Sequence, residues 1–249
     1  MVEKARVPRY TKPPLVEALC EVYAQDAPGW SDSSAQRLEE RFRNAFSGEA
    51  ETLELRGVEF ELGTELEARQ RAISSVRRRL WTMNGDRMIQ FEAGMCAYNV
   101  LGQYSTFEAY AADIKDFVAG YLAEARPTAL RWTGQRYINK VVLPRDEANP
   151  SMYFTIYPSL PASTTHRPFA LQVVMEQFQG GQVVLNLTYR SQEAEGEVYL
   201  LEIYARTVEK IEPEATRILD WQRAAHTAVR SVFETAITNR ARQLLGVLE

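Results

Sequence analysis

The sequence predicts an α+β fold with a largely antiparallel sheet, and three observations carry that prediction. Runs of β-type residues cluster between turn signals, without the regular strand–helix–strand alternation that a parallel sheet requires. Asn84-Gly85 and Gly180-Gly181 sit between such runs and mark tight hairpins, because Gly and Asn tolerate the positive φ these turns need. Amphipathic helical segments follow the strand clusters, and the last one is long and C-terminal.

Val7 to Pro14 holds three prolines and can only run extended. Leu15 to Gln25, with Val16, Val22 and Tyr23, reads as a strand, although Leu-Val-Glu-Ala-Leu-Cys also suits a helix. Ser31-Asp32-Ser33-Ser34 supplies N-cap oxygens for a helix with Leu38, Phe42, Ala45 and Phe46 at helical spacing, ending at Gly48. Residues 52–62 alternate as a strand, with a turn or bulge expected at Gly57. Residues 73–83 and 87–98 form the hairpin around Asn84-Gly85. Ser105 or Thr106 then caps a helix, with Phe107, Ile114, Phe117 and Tyr121 in register, that stops before Pro127.

The second half opens with an extended run, Leu130 to Leu143, and a polar loop at 145–150. Strands at 169–178, 183–190 and 198–206 follow as a meander, with Val183, Leu185, Leu187 and Tyr189 on one buried face. A helix starting at Pro213 carries Ile218, Trp221, Ala225, Val229, Val232 and Phe233 along one stripe and breaks near Thr238-Asn239. The expectation is that this stripe covers the second sheet; meeting a second copy of itself, in a homo-oligomer, is the alternative use. Both halves, 1–126 and 127–249, run from a strand through a hairpin to a helix. Two related halves are therefore expected, and 249 residues could hold them as one compact unit.

Charge is unevenly spread. Residues 1–126 carry 16 basic and 20 acidic side chains, while 127–249 carry 13 of each, so the net charge of −4 belongs to the first half. Seven glutamates lie between 49 and 67, and Arg69, Arg71, Arg77, Arg78 and Arg79 follow without an acid among them. A solvated hairpin explains this run, and a bipolar surface for a charged partner is the sharper reading. With a pI near 5.5, a dedicated nucleic-acid binder is not expected. No stretch is long and apolar enough to span a bilayer, and none near Met1 resembles a signal peptide, so the expected compartment is the cytoplasm. Of the 29 basic residues 24 are arginine, a bias that codon usage explains more cheaply than function does.

Motifs with chemistry are absent: no phosphate loop, no dinucleotide fingerprint, no nucleophile elbow and no metal helix. No cofactor and no metal site are therefore expected. Cys20 and Cys96 read as small buried core residues. His166 lies in a polar loop, and His226 shares a helical face with Arg223 and Arg230, whose charge would depress its pKa; an exposed or interface histidine is the plain reading. The acids at Glu193, Glu195 and Glu197, and at Glu209, Glu212 and Glu214, suit a turn and a helix start. On the strand from Trp132 to Lys140, alternation puts Gln135, Tyr137 and Asn139 on one face and Trp132, Arg136, Ile138 and Lys140 on the other, and neither face is cleanly apolar. A buried Arg136 or Asn139 needs a partner, and Glu17 offers a carboxylate.

Three sets of residues carry a resemblance: Tyr10-Thr11-Lys12-Pro13-Pro14-Leu15-Val16-Glu17-Ala18, Arg136-Tyr137-Ile138-Asn139, and Ala225-His226 with Phe233-Glu234. In these the chain resembles a sporadically distributed family of uncharacterised bacterial and archaeal proteins of similar length. The resemblance implies a shared architecture, supplies no catalytic residue, and points to Glu17, Arg136 and Asn139. The functional expectation is a non-catalytic binding or interaction protein that works with a protein partner, binding through Glu17, Arg136, Tyr137, Asn139, Arg77, Arg78 and Arg79. The alternative is an enzyme or small-ligand sensor with a pocket near Arg136, Tyr137 and Asn139.

Overall fold

The computed structural model describes residues 9–62, 68–102, 104–145, 149–158, 169–178 and 180–248, and the side chains of these except 55–62, 68–74 and 176–177. Strand β1 (Arg9–Tyr10) and the two prolines after it lead into β2 (Leu15–Ala24). Helix α1 (Asp32–Phe42) starts at Ser31 in a capping box, in which Ser31 and Ser34 satisfy each other's backbone N–H. The strands β3 (Ala50–Leu62), β4 (Ala68–Trp81), β5 (Arg87–Glu92) and β6 (Met95–Leu101) then run as a meander into α2 (Phe107–Ala125), capped by Thr106. The second half consists of β7 (Leu130–Pro144), a short 3-10 turn at Pro150–Met152, β8 (Ala170–Phe178), β9 (Gly181–Gln192), β10 (Gly196–Thr207), α3 (Ala215–Ala236), α4 (Asn239–Leu244) and β11 (Val247–Leu248).

One antiparallel sheet of nine strands, in the order β3-β4-β5-β6-β2-β7-β10-β9-β8, forms the body of the protein, and β1 pairs separately with β11. The expected α+β class and antiparallel sheet are thus observed, with both halves sharing one sheet. Each half repeats one plan. Its first strand lies at the centre, its last strand returns to pair with that first strand, and a helix follows. The central strands β2 and β7 pair antiparallel and join the halves, with Cys20 opposite Gln135.

The helices lie on one face. Ala18, Cys20 and Val22 of β2 join Tyr98, Tyr137, Leu201 and Ile203 of neighbouring strands in one apolar cluster with Leu38 of α1, Phe117 of α2 and Ile218, Ala225 and Val229 of α3. Full burial of side chains of the size of Ile218 and Val229 stabilises by about 1.5–3 kcal/mol each, so the α3 stripe is satisfied by the chain's own sheet. Among the described residues no large apolar side chain of α3 is exposed. The opposite face carries Leu19, Met88, Met95, Ala97 and Val198, which are buried without joining that cluster, and among the described residues no helix packs on it.

Three local expectations change. The β3–β4 ladder runs in unbroken register through Gly57 opposite Ile73, so no turn or bulge occurs there. The run 87–98 is two strands, because the chain turns at Ala93-Gly94 and Cys96 pairs back to Phe91. Helix α3 begins two residues after Pro213, and its N-cap Glu214 makes no side-chain cap bond. The break expected near Thr238-Asn239 is observed: Ile237 is extended and bridges to Phe154, and Thr238 caps α4 by accepting from the Ala241 N–H. Gly85 and Gly180 take the positive φ that their hairpin turns demand, as the sequence requires.

Candidate functional site

A cavity of about 480 Å³ opens on the helix side, where the N-terminal strap, β7 and the start of α2 meet α3. The strap forms one wall. It is held by β1–β11 pairing, by Thr11 N–H to Gly246 O (2.9 Å) and Lys12 N–H to Leu245 O (3.0 Å), and by Lys140 N–H to Pro14 O (2.8 Å). Prolines at 13 and 14 keep this wall extended and present Leu15 to the cavity. The floor is β7, whose alternation sends Tyr137 and Asn139 toward the helices; Asn139 is fixed by donating Nδ2–H to Leu201 O at 3.0 Å.

Three polar rings form a chain along the cavity. The Tyr104 and Tyr137 hydroxyls lie 2.9 Å apart, and Tyr137 in turn bonds His226 Nδ1 on α3. The His226 ring stacks on Phe107 at 5.5 Å, which fixes its orientation. Burial first and then the nearby Arg230 charge push His226 down to about 4, so it is neutral at pH 7. Burial holds the Tyr104 and Tyr137 hydroxyls above the ordinary tyrosine value, and both stay protonated. Arg230, one helical turn beyond His226, lines the cavity half-buried and makes no ion pair or hydrogen bond among the described residues. Glu234, a further turn on, accepts from Tyr10 Oη at 2.8 Å and pairs with Arg242 at 3.4 Å.

The other face of β7 holds a second polar set. Arg136 lies between Glu21 and Glu202, 3.3 Å from each, and its guanidinium sits 4.6 Å over the Tyr204 ring. Burial raises the Glu21 carboxyl above the usual range, with Arg136 opposing the shift. Gly134 makes this packing possible, because a Cβ there would stand 2.6 Å from Tyr204 Cε2. Trp132 contacts both Tyr23 and Tyr204, with ring centroids 3.7 and 5.7 Å away. A line of hydrogen bonds crosses four strands: Arg79 donates to Gln90 (3.0 Å), Gln90 to Asn99 (3.0 Å) and Asn99 to Glu17 (2.6 Å). Arg77 meets Glu92 at 2.7 Å. On this face Glu21 Oε2, Arg77 Nε, Trp81 Nε1, Glu92 Oε2, Arg136 Nε and Tyr204 Oη are buried without a hydrogen bond.

The sheet therefore divides the residues that the sequence grouped together. Tyr137 and Asn139 line the cavity; Glu17, Arg77, Arg79 and Arg136 lie on the opposite face. Arg78 points to the helix side, where it bonds Thr52 at 3.0 Å and lies 3.8 Å from Glu39. Arg136 takes Glu21 and Glu202 as its carboxylates, and Glu17 serves Asn99 instead. Side chains at 69 and 71, like His166, lie outside the described residues. His226, expected at an exposed or interface position, is half-buried in the cavity wall. The sequence places His226 with Arg223 and Arg230 on one helical face; Glu234, at i+4 from Arg230, continues that face, but the meeting with Tyr104 and Tyr137 is a long-range fact without a sequence signal. The strap contributes Tyr10, Pro13, Pro14 and Leu15 to this cavity, β7 contributes Tyr137 and Asn139, and α3 contributes His226, Phe233 and Glu234.

Cys20 and Cys96 are free and buried, with the Cys20 thiol donating to Gln135 Oε1 at 2.8 Å. Among the described residues no group of three His, Cys, Asp or Glu side chains could hold a metal ion, and no helix is long and apolar enough to cross a membrane. No family model, curated protein or solved structure matches the chain.

Proposed function

We propose that the protein is a non-catalytic binding protein that holds a small organic ligand in the cavity between the N-terminal strap and α3. The carrying observation is the cavity itself: its volume is that of small-molecule sites, and its mainly apolar and aromatic lining converges on a few fixed polar groups. The protonation states favour binding over catalysis. A general acid or base works best with a pKa near the operating pH, whereas His226 is driven down to about 4 and both tyrosines are driven up. Two free, buried thiols fit a reducing compartment, the cytoplasm. The test equilibrates the protein with a small-molecule extract of its source cells, removes unbound material and identifies what is released on denaturation. A compound retained by the wild type and lost from Ser105→Trp, which adds bulk at an exposed position lining the cavity, supports the reading. Identical retention by both proteins overturns it.

A second reading, a protein partner docking on the opposite sheet face, is favoured by that face's chemistry. Trp81, Trp132, Tyr23 and Tyr204 beside Arg77, Arg79 and Arg136 are the residue types that dominate binding energy at protein interfaces. Co-purification of one protein with the wild type and with Ser105→Trp, but not with Trp132→Ala, would support it. Equal recovery with Trp132→Ala would count against it.

A further inference from the structure

Taking the cavity as a ligand site, we infer that its ligand is an anion, a carboxylate or phosphate carried on a flat apolar body, held by Arg230 and by the Tyr104 hydroxyl. The charges lining the cavity are Arg9, Arg230 and Glu234. Glu234 is already committed to Tyr10 and Arg242, so it neutralises neither arginine. Arg230 is left as a half-buried guanidinium without an ion pair among the described residues. A guanidinium taken partly out of water is costly until an anion pairs with it, and its planar fork suits a carboxylate or a phosphate. Tyr10, Pro13, Pro14, Leu15 and Phe233 supply flat and apolar walls for the rest of the ligand.

The chain of hydroxyls fixes a second requirement. Tyr137 bonds both Tyr104 and His226, and its single proton can go only one way. In one order Tyr104 donates to Tyr137 and Tyr137 donates to a bare His226 Nδ1, which leaves Tyr104 with only lone pairs for the ligand. In the reverse order His226 Nδ1–H donates to Tyr137 and Tyr137 donates to Tyr104, which frees the Tyr104 O–H for the cavity. An anion can accept but not donate, so it selects the reverse order and requires the neutral His226 to carry its proton on Nδ1. The chain thus converts ligand charge into a histidine tautomer 89 residues away in sequence from Tyr137.

The test uses four small probes of similar shape: benzoate, phenyl phosphate, benzamide and benzylammonium. Protein labelled with ¹⁵N in its two histidines is titrated with each probe, and His166→Gln assigns the His226 signals. Benzoate or phenyl phosphate is expected to bind, with His226 Nδ1 protonated in the complex, and the tighter of the two identifies the headgroup. Arg230→Gln should weaken that binding on the order of tenfold or more, the worth of one charge-assisted pair. Tyr104→Phe should abolish the Nδ1 signature. Benzamide or benzylammonium binding as tightly as the anions, no loss in Arg230→Gln, or a bare Nδ1 in the anion complex overturns the inference. If a neutral or cationic probe binds and Ser105→Trp expels it, the cavity stands as a ligand site while its preference for anions falls. If no probe binds the wild type, the inference falls, and the retention experiment with cell extract decides the cavity.

Discussion

Replacing His226 with Gln should remove a specific part of the protein's acid sensitivity. In the folded protein His226 titrates near 4, against 6.5 for an ordinary histidine. Between these values the unfolded chain takes up a proton that the folded protein refuses, so this residue's contribution is complete above pH 6.5 and is lost as pH falls toward 4. The full difference corresponds to about 3 kcal/mol, and about 2 kcal/mol is already lost at pH 5. The charged or titratable groups around the ring are Arg230 on α3, Glu108 on α2, and the Tyr104 and Tyr137 hydroxyls; Gln removes only the histidine and can still accept from Tyr137. Urea unfolding of both proteins at pH 8, 6 and 5 gives the assay. Carboxylates such as Glu21, which burial raises above the usual range, change both proteins alike and cancel in the difference. The wild type should lose about 2 kcal/mol more than His226→Gln between pH 8 and pH 5. Parallel pH dependences, within about 0.5 kcal/mol, would refute a buried neutral histidine, since its linked stability could not then exist.

Three further outcomes follow from the geometry. Gly134→Ala would drive a Cβ to 2.6 Å from Tyr204 and 3.0 Å from Ala205 O, and should cost about 1–3 kcal/mol by urea midpoint, with little change in m-value. Arg136→Met should cost about 3 kcal/mol at pH 7 by leaving Glu21 buried without its cation, and Glu21→Gln in the same background should recover part of it, read by thermal melting. Cys20 and Cys96, buried and with thiols pushed well above their ordinary pKa, should be silent to a thiol-reactive dye in the native protein and titrate as two groups in urea.

The parts of the fold that were legible in the sequence are those written locally. Ser31 and Thr106 announce helix starts because their side chains replace missing backbone acceptors, and Asn84-Gly85 announces a hairpin because Gly85 must take a positive φ. Gly57 misled because a glycine inside a strand can equally well leave the ladder intact. The turn at Ala93-Gly94 was hidden because Met95 to Val100 continues the same β-type composition. For the site, strand alternation separated Tyr137 and Asn139 from Arg136 correctly, since side chains on a strand can only take opposite faces. What no local rule contains is pairing across the sheet and between layers. Arg136 finds Glu21 and Glu202 because β7 lies between β2 and β10, and His226 finds Tyr137 because α3 folds back over β7.

If the cavity behind the strap is where this protein binds its ligand, a crystal structure grown with saturating phenyl phosphate or benzoate will show the ligand there. One molecule should sit in the cavity, its anionic group within hydrogen-bond reach of the Arg230 guanidinium and the Tyr104 hydroxyl and its ring against Phe233 and the strap prolines. A cavity holding only solvent, with the probe absent or seated on the opposite face near Arg136, would contradict it.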